Sequence, residues 1–118
     1  RMPAYCTAPG IAMLSRLPEE EALDIIDRSE LKAYTAHTTC RREDLAAKLR
    51  LSAERGFATA FSEVYNGDAS IAAAILDEHG RPEGAVNIAV SYARYTEEEA
   101  VGRFSPLVVA AARAISRN

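Results

Sequence analysis

The side chains of this sequence that could support covalent or metal chemistry are few and scattered. Two cysteines, Cys6 and Cys40, and two histidines, His37 and His79, are its only thiols and imidazoles. Only His37 and Cys40 have the close spacing that zinc sites favour, and Cys6 precedes a predicted helix start, where a thiolate can be stabilised. We expect two reduced thiols and a buried, unreactive Cys6. A metal-dependent or thiol-dependent enzyme module built from these four residues is the alternative.

A second candidate site lies on one face of two predicted strands between Ser70 and Ser91. Side chains alternate across a strand, so one face of this pair carries Ile71, Ala73, Ile75, Val86, Ile88 and Val90. The other face carries Ser70, Ala72, Ala74, Asn87, Ala89 and Ser91. Small, weakly polar residues are unusual for a solvated face and for a core, so they suggest the floor of a small-molecule cavity. The alternative is a face that a helix covers closely.

The helix start at Thr7 to Ile11 could complete such a cavity. Amides at a helix N-terminus attract anions, so a carboxylate could lie against Gly10 and Ile11, above Ser70 and Asn87. Pro9 removes one donor from this turn. The alternative is that Thr7 only caps the helix.

The elements that position these residues are predicted in the order strand, three helices, three strands, helix. The boundaries are a strand at Met2 to Cys6, helices after Thr7 and Pro18, a linker at Leu31 to Thr39, a helix at Arg42 to Arg55, a strand at Phe57 to Asn66, the pair within Ser70 to Ser91, and a helix after Thr96.

Turn and cap residues support these boundaries. Gly56 predicts a left-handed helix end, and DEHGRPEG predicts a hairpin that makes the central strands antiparallel. Thr96 followed by Glu99 has the spacing of a capping box. Pro106 predicts that the last helix kinks or restarts near Phe104, because proline lacks an amide donor.

The composition limits the classes of partner. The 118 residues suffice for one domain, with a formal net charge of −3 and an isoelectric point near 5.4. Nucleic-acid binding needs a basic stripe, so we expect no DNA contact by this segment. The sequence shows no membrane-length apolar run and no export signal, which predicts a cytoplasmic location. Because it opens on Arg1, immediately before a predicted strand, we expect it to be part of a longer chain.

Three stretches together resemble a known family. They are RMPAYCTAPGIAMLSRLPEEE, REDLAAKLRLSAERGFATA and SIAAAILDEHGRPEGAVNIAVS. They comprise a small-residue turn into a helix ending in Leu-Pro, a helix closed by Arg-Gly-aromatic, and an antiparallel strand pair. Over essentially its whole length the chain resembles the effector-binding domain of IclR-type bacterial transcriptional regulators.

The resemblance implies an α/β (α+β) fold of GAF-like type, with a central antiparallel sheet flanked by helices. Residues 1–118 would be the C-terminal part of the effector domain, and DNA would be bound by a separate winged helix-turn-helix that this sequence lacks. The implied partner is a small-molecule carboxylate effector, with no cofactor, no catalysis and no membrane. A homodimer or homotetramer is the implied assembly.

The resemblance also assigns ligand-binding positions. They are Ala8, Pro9, Gly10, Ala60, Ser70, Asn87 and Ala89. Relatives that bind small oxoacids tend to carry an acidic side chain in place of Ala60 and hydroxyls in place of Asn87 and Ala89. The site here is less acidic and roomier, which favours a larger carboxylate such as a hydroxybenzoate or an acid of the β-ketoadipate pathway.

Overall fold

A computed structural model describes residues 4–64, 66–91 and 93–117. After a short 3-10 helix at Ala4–Cys6, the elements are α1 (Ala8–Leu14), α2 (Glu19–Asp27), α3 (Arg42–Arg55), β1 (Ala58–Phe61), β2 (Asp68–Leu76), β3 (Pro82–Ser91) and α4 (Glu97–Ile115). This mixed arrangement of an antiparallel sheet and flanking helices confirms the predicted fold class. None of the described helices has the length and apolar character that a membrane span requires.

The sheet has the strand order β1-β2-β3, and both pairings are antiparallel. Ala72 of the central strand lies opposite Ala58 on one side and Asn87 on the other. A register shift at Ile75/Leu76 interrupts the β2–β3 ladder next to the hairpin. The hairpin and the predicted division of the two faces are therefore confirmed.

The β-branched face of the sheet packs against α4. Ile71 and Val108 are almost fully buried in this cluster, and Ile88 and Val90 pack at its margin. Each fully buried aliphatic side chain contributes about 1.5–3 kcal/mol, so this layer fixes α4 on the sheet. Tyr95 and Phe104 extend the layer with an edge-to-face contact at 5.2 Å between ring centroids.

The small-residue face packs against the opposite layer, in which α1 contacts all three strands. Ala58 and Ala72 are fully buried there, and Ala8 and Ile11 of α1 belong to the same cluster. Alanines on both surfaces let the helix and sheet backbones approach closely. Leu45 and Leu49 of α3 complete this second core.

Local signals set the helix ends as predicted. Thr7 caps α1, Thr96 and Glu99 form the capping box of α4, and Gly56 ends α3 at a φ of 84°. The predicted restart of the last helix at Pro106 is wrong, because α4 runs unbroken from Glu97 to Ile115. Buried contacts on both sides of the proline, at Ala100 and Val108, hold the two halves on one sheet face.

The predicted strand at Met2 to Cys6 is also wrong over the part that the structure describes. Ala4–Cys6 forms a 3-10 helix, and Met2 lies outside the described residues. The Tyr5 hydroxyl donates to the carbonyl of Lys32 and accepts from its amide, both at 2.6 Å. These bonds tie Tyr5 to the linker instead of to a sheet edge.

The predicted strand at Phe57 to Asn66 is shorter than expected. β1 ends at Phe61, and Ser62 adopts a φ of 55°, a left-handed conformation that a strand cannot continue. Its hydroxyl accepts a hydrogen bond from the amide of Gly67 at 3.0 Å. The chain therefore turns at Ser62, and residues 62–64 and 66 of the expected strand belong to the loop, whereas Tyr65 lies outside the described residues.

Replacing Gly10 tests the close contact between α1 and the 3-10 helix. A Cβ at Gly10 would overlap the backbone carbonyl of Ala4, so we expect Gly10→Ala to destabilise the fold by about 1–3 kcal/mol. Gly102→Ala is the control, since a Cβ there meets nothing within 4 Å. That control should gain about 0.5–1 kcal/mol of stability. Urea unfolding measures both, and equal midpoints for the two variants would contradict the contact.

Candidate functional site

Ser70 and Asn87 form a hydrogen-bonded pair on the small-residue face. The Ser70 hydroxyl donates to Oδ1 of Asn87 at 2.5 Å, across the β2–β3 ladder. Ser70 lies opposite Ala89, so the three residues adjoin one another on the same face. Ser70 is half-buried, whereas Asn87 and Ala89 are exposed. We call Ser70, Asn87 and Ala89 the polar sector.

The part of the small-residue face next to β1 is closed, whereas Ala74 is half-buried and Ser91 is exposed. Ala58 and Ala72 have no exposed surface, and Ala60 is 8% exposed. These alanines belong to the same buried cluster as Ala8 of α1. The alternative of a closely packed helix is therefore confirmed for Ala58, Ala60 and Ala72, whereas the polar sector lies in the more open part of the face.

The start of α1 uses its own backbone donors. The amide of Gly10 donates to the Thr7 hydroxyl at 3.2 Å, and the amide of Ile11 donates to the Thr7 carbonyl at 3.0 Å. The capping function of Thr7 is confirmed. The expectation that Gly10 and Ile11 present unused amides is wrong, and because Pro9 has no N–H, Ala8 carries the remaining first-turn donor.

A buried carboxylate, Glu63, joins the linker to the end of β1. Its side chain is 5% exposed, forms an ion pair with Lys48 of α3, and accepts a hydrogen bond from the amide of Thr39 at 3.1 Å. The Thr38 hydroxyl donates to the Glu63 carbonyl, and the Thr35 hydroxyl donates to the Ser62 carbonyl. These bonds hold residues 35–39 beside the strand that carries Ala60.

Sequence reasoning missed Glu63, although a signal was available. In the predicted alternation Glu63 follows Phe57, Thr59 and Phe61 on one side of the strand. A carboxylate in that series must find a cation and hydrogen-bond donors when it is buried. The partners come from Lys48 and Thr39, which the sequence separates from Glu63 by 15 and 24 residues.

The thiols and imidazoles do not form a metal site among the described residues. Nowhere in that part of the chain do three His, Cys, Asp or Glu side chains lie close enough to hold a metal ion. His37 and His79 are exposed, Cys40 is half-buried and donates to the Thr38 carbonyl at 3.3 Å, and Cys6 is buried. Burial raises the pKa of the Cys6 thiol, with a smaller contribution from Glu63.

The geometry can be compared with known proteins. The family model described as bacterial transcriptional regulator IclR C-terminal matches residues 1–117. The chain belongs to the IclR family. What the structure describes is thus the C-terminal, effector-binding type of domain of a transcriptional regulator, and the GAF-like sheet that the sequence predicted is the sheet of that domain.

Individual relatives agree with this assignment. The Pca regulon regulatory protein of Pseudomonas putida is 33% identical over 113 residues, which are 96% of this IclR-family chain and 39% of that protein. The solved C-terminal domain of the Escherichia coli regulator KdgR is 28% identical, with a TM-score of 0.89 over 98% of this chain and 70% of that one. The chain spans less than half the length of the curated relatives that it matches.

One solved structure contains a ligand. It is a double mutant of the inducer-binding domain of PobR from Acinetobacter, in complex with 3-hydroxybenzoic acid. It is 24% identical, with a TM-score of 0.88 over all of this chain and 67% of that one. At this sequence identity the likeness shows that the two domains share a fold, and it does not show that they bind the same ligand.

Breaking the Lys48–Glu63 pair should be costly. Lys48→Met leaves the Glu63 carboxylate buried without its cation, so we expect a loss of about 3 kcal/mol in the free energy of unfolding. Arg50→Met is the control, because it breaks an exposed pair with Glu19 and should cost less than about 1 kcal/mol. Similar losses in urea unfolding for the two variants would show that Glu63 is not held as described.

The two cysteines should differ in reactivity toward a thiol reagent such as DTNB. Cys6 is buried and its raised pKa lowers the thiolate fraction at any given pH, so it should react only when the domain unfolds. Cys40 should react in the native protein. The Cys40→Ser variant isolates Cys6, and rapid native-state labelling of that variant would contradict the burial of Cys6.

Proposed function

We propose that this chain is the ligand-sensing part of an IclR-family regulator and that a small organic carboxylate binds at the polar sector. The Ser70–Asn87 hydrogen bond supports this proposal, because it places side-chain polar groups at the open part of an otherwise alanine-rich face. Ala60, together with the turn at Ala8, Pro9 and Gly10, would border the ligand.

The chemistry of the polar sector suits a carboxylate. Asn87 accepts from Ser70 through Oδ1, and its amide nitrogen carries two N–H groups that can donate to a ligand oxygen. The Gly10 and Ile11 amides already donate to Thr7. We therefore propose the side-chain amide of Asn87 as the group that donates to the carboxylate of the ligand. Ala89 presents only an exposed methyl group beside this donor, which leaves space for the body of the ligand, whereas Ala60 is 8% exposed.

The proposed ligand class is an aromatic or medium-sized aliphatic acid. Ala60 and Ala89 provide neither the acid nor the hydroxyl that a small, polar oxoacid would pair with. A relative that is 33% identical is named as the regulator of a Pca regulon, which supports testing a hydroxybenzoate and β-ketoadipate first.

The proposed output is a change in DNA binding by a separate winged helix-turn-helix domain of the complete regulator. With a net charge of −3, this chain offers no basic stripe for DNA. Its function would be to shift the equilibrium between two arrangements of the oligomeric regulator, without catalysing a reaction. A ligand shifts such an equilibrium only by its difference in affinity between two states. We propose that the oligomer whose equilibrium is shifted is a homodimer or homotetramer in the bacterial cytoplasm.

Calorimetric titration of the chain with 4-hydroxybenzoate, β-ketoadipate and glyoxylate tests this function. We expect saturable binding of at least one larger acid, and Asn87→Leu should weaken it about tenfold or more by removing the donor. Asn66→Leu, the same change at an exposed loop position, should leave the affinity unchanged.

Two outcomes would contradict the proposal. If Asn87→Leu binds as the unmodified chain does, the polar sector is not the site. If the folded chain binds none of the three acids, a domain that contributes only to oligomerisation becomes the better interpretation.

A further inference from the structure

A cavity lies at the hairpin end of β2 and is lined there by Ala73, Ala74 and Leu76. Its volume is about 470 Å³, within the range of small-molecule sites. It opens beyond the first residue of β1, because Ala58 pairs with Ala72 and, among the described residues, no strand pairs with residues 73–76 on that side. Its lining on β2 begins at Ala73, and Asn87 lies opposite Ala72, so the cavity adjoins the polar sector but shares no residue with it.

Two arginines from different elements line this cavity. Arg16 follows the end of α1, and Arg113 lies in the last turn of α4. Among the described residues, neither takes part in an ion pair. Two guanidinium groups at one cavity without an acidic partner produce a local positive potential in a chain whose net charge is −3.

The acids near this end of the sheet are already engaged. Glu83 pairs with Arg117 at 2.6 Å, and Glu21 pairs with Arg81 at 2.7 Å. Asp77, which follows β2, accepts the amide of Arg81 at 3.0 Å, and such backbone bonds lower the pKa of its carboxyl. Glu83 and Glu21 are therefore paired with cations other than Arg16 and Arg113, whereas Asp77 keeps its negative charge.

The strand edge supplies backbone groups to the same cavity. The amide of Leu76 donates to the Ser116 hydroxyl, and its carbonyl accepts from the amide of Arg117, both at 2.9 Å. Backbone groups alternate in direction along a strand, so the N–H and C=O of Ala74 face the same side as those of Leu76. Ala74 lines the same cavity as the two arginines.

The remaining walls are apolar. Val109 and Ala112 of α4 and Ala73 of β2 contribute aliphatic surface. The Ser116 hydroxyl also lines the cavity, but it donates to the Ala112 carbonyl at 2.7 Å and accepts from Leu76, so its hydrogen bonds are made within the chain. A ligand would have charged contacts at the arginines and an apolar surface beneath it.

From this arrangement we propose a second ligand site, in which Arg16 and Arg113 bind the carboxylates of a small organic diacid and the aliphatic wall contacts its body. Guanidinium groups recognise carboxylates through paired, charge-assisted hydrogen bonds. The two cations on separate elements favour a diacid over a monoacid. The site does not depend on the proposed effector site, because none of its residues belongs to the polar sector.

Titration of the isotopically labelled chain with terephthalate at constant ionic strength tests this site by two-dimensional NMR. Saturable shifts should centre on the amides of Ala74 and Gly56. Arg16→Gln and Arg113→Gln should each weaken binding about tenfold or more. Arg94→Gln, which removes an exposed cation from the turn after β3, should change it by less than about twofold.

The other ligands and outcomes separate a diacid site from general anion attraction. Benzoate should bind more weakly than terephthalate, because it can engage only one arginine fully. Inorganic phosphate that binds as well as terephthalate, or an Arg94→Gln variant as impaired as Arg113→Gln, would overturn the proposal. Shifts centred on Ser70 and Asn87, or the absence of saturation, would overturn it as well.

Discussion

The β2–β3 hairpin, with its two chemically different faces, is the feature on which the rest of the structure depends. One face carries branched aliphatic side chains and the other carries alanine, serine and asparagine. The first face needs a bulky apolar cover, which α4 provides through Val108 and Ala112. The second face admits α1 at short distance, because alanine allows close approach of backbones. The order of layers therefore follows from the alternation within two strands.

The polar sector is distinctive because the part of the same face next to β1 is closed. Ala58 and Ala72 are fully buried beneath α1, whereas Asn87 and Ala89 of β3 are exposed. The polar pair therefore lies at the boundary between closed and open surface, which is where the proposed effector would bind. This position is consistent with a sensing domain of the IclR family, in which a ligand must alter packing to have an effect at a distance.

Charged groups are arranged at the two ends of the sheet in different ways. At the end of β1, Glu63 is buried with Lys48 and the linker amides, which makes a rigid, neutralised connection. At the end of β2, Arg16 and Arg113 line a cavity and lie outside the ion pairs of the described residues. The first arrangement holds the linker in place, and the second leaves positive charge available to an anionic ligand.

The sequence by itself determined the features that arise within a few residues. The Thr7 and Thr96 caps, the left-handed Gly56 and the facing of Ile71 with Ile88 follow from local hydrogen bonding and strand alternation, and the structure contains all of them. The family resemblance could likewise be recognised from the sequence, because it rests on the spacing of these local features.

Only the tertiary structure decided the features that depend on distant partners. Tyr5 forms its hydrogen bonds with Lys32, 27 residues away. Its segment is a 3-10 helix, whereas the sequence predicted a strand. Glu63 is buried because Lys48 and Thr39 surround it, and Arg16 meets Arg113 at a cavity because α1 and α4 end at the same part of the sheet. A local pattern cannot specify which distant groups will meet, since that depends on how the complete set of layers packs.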